Sequence, residues 1–153
     1  MNPQTLKLLR DTAIFEQLTD EQLTRIGQRL INLEFEPGDL VFREGAPGRY
    51  ICFIIEGHLE VLKETDDGKR IPIATLRGGH SVGEMSIIDG LTCSATVIAE
   101  SPARVLALTR EDFDLLVDDE PRLGAEIFRG ISRLLSMSLR KTSADLAAAR
   151  ALG

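Results

Sequence analysis

The chain has little cysteine: only Cys52 and Cys93, in apolar or mixed stretches with neither CxxC spacing nor a histidine pair beside them. That excludes a disulfide framework and the usual zinc and iron–sulfur patterns. The two histidines, His58 and His80, are far apart and read as surface residues rather than metal ligands. Long apolar runs are missing too. None approaches the roughly 18 residues a membrane span needs, and the N-terminus is polar and charged where a secretory signal is apolar. A cytoplasmic protein with no membrane partner is expected. Positive charge is in deficit: 18 Lys and Arg against 24 Asp and Glu give a formal net charge of -6. Such a field repels phosphate backbones, so DNA binding by this chain alone is not expected, and an anionic small ligand would need a local positive site. Catalytic signatures are also lacking, with no nucleophile elbow, HExxH, phosphate-loop lysine or carboxylate pair that spacing alone would bring together. The expectation is a non-enzymatic protein without catalytic residues, metal or cofactor.

What is present suffices for one core. At 153 residues and 43% hydrophobic, the chain reads as a single domain over residues 1–153. Helix signals fill about 3–30: Asn2 ahead of Pro3, then a capping box from Thr19 to Gln22, with Leu23, Ile26 and Leu30 at helical spacing. From Ile31 the rhythm changes to two, as Ile31, Leu33 and Phe35 alternate with polar residues before Pro37-Gly38. Short apolar runs follow at 40–42, 50–55, 59–62, 71–76, 95–99 and 105–108, each bounded by turn residues, and Asp66-Asp67-Gly68 marks a hairpin. Strands this short and numerous predict a mainly β roll or barrel over about 31–108. Helices return over about 110–149: Thr109 is a cap, the stretch from Asp118 to Pro121 breaks the first helix, and Pro121 opens the second. A stripe of Leu123, Ile127, Ile131, Leu134, Leu135 and Leu139 on this last helix exceeds what one roll can cover, which predicts a homodimer through it. Folding back on its own roll is the alternative use of the stripe, and Gly124 and Gly130 weaken a strict heptad. The alanine-rich tail from Ala144 is expected to fray.

The stretch from Gly78 to Val97 carries the chemistry. It offers a glycine-rich approach, a short helical turn whose amides near Glu84 to Ser86 can face an anion, and the hydroxyls of Ser86, Thr92 and Ser94. The same spacing also fits an ordinary loop. Cys52 reads as a small core hydrophobe, whereas Cys93 is expected at the mouth of a pocket.

Pro37-Gly38, Arg43-Glu44-Gly45 with Pro47-Gly48, Glu56-Gly57, Gly79, Gly83-Glu84 and Ser94-Ala95-Thr96-Val97 come in an order that resembles the cyclic nucleotide-binding domain. The resemblance runs from Ile14 to about Ser138. It implies an eight-stranded β-roll, jelly-roll-like, with N-terminal helices and a long C-terminal helix that often pairs two subunits. It implies a ligand, cyclic AMP, cyclic GMP or a related small anion, held by Gly83, Glu84, Met85, Ser86, Cys93, Ser94 and Ser138. Glu84 would take the ribose 2'-hydroxyl, the Met85 and Ser86 amides and Ser94 the cyclic phosphate, and Ser138 would face the base. Cys93 stands where the family usually carries an arginine whose charged bond to phosphate contributes roughly 10-fold to 150-fold in affinity. Three readings follow: a cyclic nucleotide held with charge from Arg77, Arg133 or another basic side chain, a different ligand, or a silent pocket serving as a dimerisation and interaction scaffold.

Overall fold

The computed structural model describes residues 2–153. Asn2 accepts a bond from the Thr5 amide ahead of α1 (Pro3–Arg10). Thr19 and Gln22 close the expected capping box on α2 (Asp20–Gly27), satisfying amides that the first turn leaves free. A 3-10 turn, Ala13–Phe15, joins the two helices.

Eight strands follow, with one short helix among them: β1 (Ile31–Phe35), β2 (Leu40–Phe42), β3 (Tyr50–Glu56), β4 (Leu59–Glu64), β5 (Arg70–Leu76), β6 (Ser81–Val82), α3 (Glu84–Asp89), β7 (Thr96–Ala99) and β8 (Ala103–Thr109). They form two four-stranded antiparallel sheets in the orders β1-β8-β3-β6 and β2-β7-β4-β5. β3 and β8 are covered on both faces, which is why they read as continuous apolar runs. On one face Ile51, Phe53, Leu106 and Leu108 meet the helices. On the other Cys52, Ile54, Val105 and Ala107 meet Val41, Leu59, Val97 and Ala99 of the second sheet. Each large side chain so buried contributes about 1.5–3 kcal/mol.

Thr109 caps α4 (Arg110–Asp119) through the Asp112 amide, and Pro121 opens α5 (Pro121–Leu152), 32 residues long. α5 passes so close to the 3-10 turn that a Cβ on Gly130 would lie 2.0 Å from the Ile14 carbonyl oxygen. Gly130 therefore serves packing inside the subunit. The helix, expected to about Ala149, is continuous through Leu152. Alanine costs least of all residues in a helix, so a run of it prolongs the element. The buried residues of α5 end at Ile131, and everything from Ser136 on is exposed. No helix among the described residues is long and apolar enough to cross a membrane.

Candidate functional site

β6 lies beside β3, with Val82 opposite Cys52, and is followed by Gly83. Gly83 has a φ of +95°, and a Cβ there would meet the Tyr50 carbonyl at 2.6 Å and the Phe42 ring at 2.9 Å. Only glycine fits both the conformation and the space. The turn it makes delivers Glu84 as the first residue of α3. The Glu84 Oε2 atom is shut off from solvent and has no hydrogen-bond partner among the described residues. Burial pushes this carboxyl above the ordinary range, with bonds from its own amide and from Ser81 opposing the shift. A buried acceptor left without a donor costs about 1–3 kcal/mol, and a ligand hydroxyl arriving there removes that cost.

The segment after α3 is strapped down by the loop between β2 and β3. Cys93 donates its amide to the Ala46 carbonyl at 2.8 Å, and its own carbonyl accepts from the Gly45 amide at 2.9 Å. Cys93 is only 9% exposed and belongs to the core between the sheets. Cys93 also lines the small cleft bounded by Arg43 and Tyr50, where a neutral thiol packs as a small hydrophobe. Burial raises its pKa, opposed by a bond with Ser86, which keeps it a thiol at neutral pH. Ser86 is itself buried against Gly48, and its carbonyl accepts from the Arg110 guanidinium.

Met85 and Ser94 lie on the open side. Both are exposed, and the Ser94 hydroxyl lies 3.8 Å from the Met85 sulfur. The Ser94 carbonyl accepts from Lys63 Nζ at 2.5 Å, and the same ammonium is 3.3 Å from Glu44 Oε2. Glu44 is fixed in turn: its Oε1 takes the Glu64 amide at 3.0 Å, and its own amide donates to Thr96 Oγ1 at 3.0 Å. The first of these bonds leads in drawing the Glu44 carboxyl below its ordinary pKa.

The structure brings together Gly83, Glu84, Met85, Ser86, Cys93 and Ser94. Ser138 falls instead in the exposed stretch of α5, a helix packed chiefly against α4 and the 3-10 turn. Thr92 is exposed and bridges Pro47. Arg77 is engaged with His58 Nε2 at 2.7 Å, and Arg133 lies 3.8 Å from Glu16, so neither is drawn to the cleft. Arg43 and Arg49 line a cleft of about 130 Å³ on the strap side of Cys93, with Phe42 and Tyr50. Lys63 and Arg110 are the residues that sequence reasoning passed over, and Glu44 entered it only as part of the Arg43-Glu44-Gly45 motif. The two-residue alternation of Leu59, Val61 and Lys63 was the available signal for the first.

The class is an eight-stranded β-roll in which a short helix between two strands carries a buried carboxylate at its start. The sequence profile of the cyclic nucleotide-binding domain matches residues 32–120, and the chain belongs to that family. Protein RPA4233 of Rhodopseudomonas palustris, named as a potassium channel, is 34% identical over 134 residues, 87% of this chain and 32% of that one. The CRP-like cAMP-activated global transcriptional regulator of Mycobacterium tuberculosis is 27% identical, covering 92% of this chain and 61% of its own. The chain thus spans roughly a third to three-fifths of these relatives. Among solved structures, a cyclic nucleotide-binding domain from Methylobacillus flagellatus superposes with a TM-score of 0.84 at 25% identity, covering 93% of this chain and 80% of that one.

Proposed function

We propose that this chain is a non-enzymatic sensor whose cleft around Gly83–Ser94 binds a cyclic nucleotide or a related small anion, and that it signals through its C-terminal helix. The observation that carries the reading is the orphaned Glu84 Oε2, a buried acceptor at the position where the family takes a ribose hydroxyl. The Met85 and Ser86 amides follow it in the first turn of α3 and suit the phosphate. The signal leaves through Arg110, which joins the Ser86 carbonyl to the start of α4, and then through α5. A homodimer through the exposed half of α5 completes the proposal. The free thiols of Cys52 and Cys93 suit a reducing cytoplasm.

Isothermal titration with cyclic AMP and cyclic GMP tests the ligand. Saturable heat in the wild type, lost in Glu84→Gln, is the expected result. Absence of heat at millimolar nucleotide overturns it. The burial of a neutral thiol where the family has an arginine favours a second reading, a scaffold with a silent pocket, and the same blank titration is its signature.

A further inference from the structure

We propose that Lys63 supplies the positive charge of the ligand cleft, replacing from strand β4 the arginine that Cys93 displaces. This rests on the sensor reading above. An acidic chain that holds an anion needs a cation at the point of contact, and the cations near α3 divide into two sets. Arg110 bonds the Ser86 carbonyl, while Arg43 and Arg49 line the cleft behind Cys93. All three lie on the strap side, where buried Ser86 and Cys93 pack against Gly48 and Ala46. Lys63 is on the other side, with exposed Met85 and Ser94.

Its arrangement fits the task. An ammonium has three N–H donors and no acceptor. Ser94 O takes one at 2.5 Å and Glu44 Oε2 a second at 3.3 Å, which leaves the third unclaimed beside the Ser94 backbone. The two engaged donors hold a long flexible side chain in place before a ligand arrives, so less of its freedom is lost on binding. Glu44 orients the ammonium and also offsets part of its charge. The cleft therefore takes a singly charged phosphodiester through one point charge, without the two-pronged grip of a guanidinium.

The test is titration of wild type, Lys63→Met and Lys63→Arg with cyclic AMP over a range of NaCl concentrations. Lys63→Met is expected to bind about tenfold more weakly at low salt. The gap should close as salt screens the charge, and Lys63→Arg should restore most of the affinity and its salt dependence. Glu44→Gln should tighten binding by unmasking the charge. A purely structural role would weaken Lys63→Met equally at every salt concentration, and that result overturns the assignment, as does Lys63→Met binding like the wild type. Wild-type protein that takes up neither cyclic AMP nor cyclic GMP overturns the sensor reading and this assignment with it.

Discussion

A carboxylate with one oxygen shut away from water holds its proton more tightly than it would in an unfolded chain, and for Glu84 this sets a pH dependence. Its folded pKa is raised above 4.5, so the folded state binds more protons than the unfolded one between those two values. The stability it contributes is fully present below 4.5 and is lost as pH rises through the raised folded pKa. Glu84→Gln cannot titrate, so denaturation midpoints of the two proteins should draw apart as pH rises through that window, with the wild type falling behind by on the order of 1 kcal/mol. Parallel midpoints would show that the carboxyl is not buried in solution. A hydroxyl donor favours the charged form, so nucleotide affinity should climb over the same window in the wild type and stay flat in the variant. Gly83 and Glu84 were legible in the sequence through the resemblance to the family's Gly-Glu pair, and the structure adds the left-handed turn and the close approach that require the glycine. The burial of Cys93 was not, because its partners Ala46 and Gly45 sit in a loop distant in sequence. Lys63 was missed because its bond to Ser94 depends on β4 pairing with β7, in the register that sets Leu62 opposite Thr96.

At the scale of elements, α3 is held at two points by what surrounds it. Ser86 presses on Gly48 in the β2–β3 loop, and its carbonyl is tied to Arg110 at the start of α4. α4 packs on α5 at Gly124, where an added Cβ would lie 3.1 Å from Val117. Movement of α3 therefore has a path of direct contacts to α5. Arg110→Met removes the tie and leaves the apolar core untouched. Amide exchange in 84–89 should quicken in the variant by roughly tenfold, as expected for losing about 1.4 kcal/mol of local stability. Nucleotide should slow exchange in the first turns of α5 in the wild type and do so less in Arg110→Met. Unchanged exchange after Pro121 at saturating nucleotide would rule out the coupling. Most of these elements could be read directly: caps at Asn2, Thr19 and Thr109 are local chemistry, and alternation in β1 is local periodicity. β6 could not, since two residues carry no period and Ser81 and Val82 are a strand only because Phe53 and Cys52 pair with them.

For the whole molecule, α5 is the feature out of proportion. A helix of 32 residues is about 48 Å long, yet its own subunit buries it only as far as Ile131. Leu139 at 68% exposure and Leu146 at 57% lie seven residues apart, with Thr142 and Ala149 three residues after each. Such a repeat suits the seam of a two-stranded coiled coil, and a homodimer through it is the prediction at this scale. Of the stripe read from the sequence, Leu123, Ile127 and Ile131 are buried and Leu134 and Leu135 half-buried against the chain's own core, as the alternative reading expected, and Leu139 alone stays exposed. Gly130 is used against Ile14, and the exposed half of α5 does not turn back onto the roll. A second copy of the same helix is the occupant that satisfies such a repeat with one symmetric contact. Light scattering at high micromolar concentration should therefore give twice the 16.8 kDa chain mass. Leu139→Glu with Leu146→Glu places like charges across the seam and should raise the dimer dissociation constant at least about 100-fold. The roll, whose core ends at Ile131, should keep its melting temperature at concentrations where both proteins are monomeric. A wild type that stays monomeric at high micromolar concentration removes the dimer, and then Leu139 and Leu146 await a partner other than a second copy.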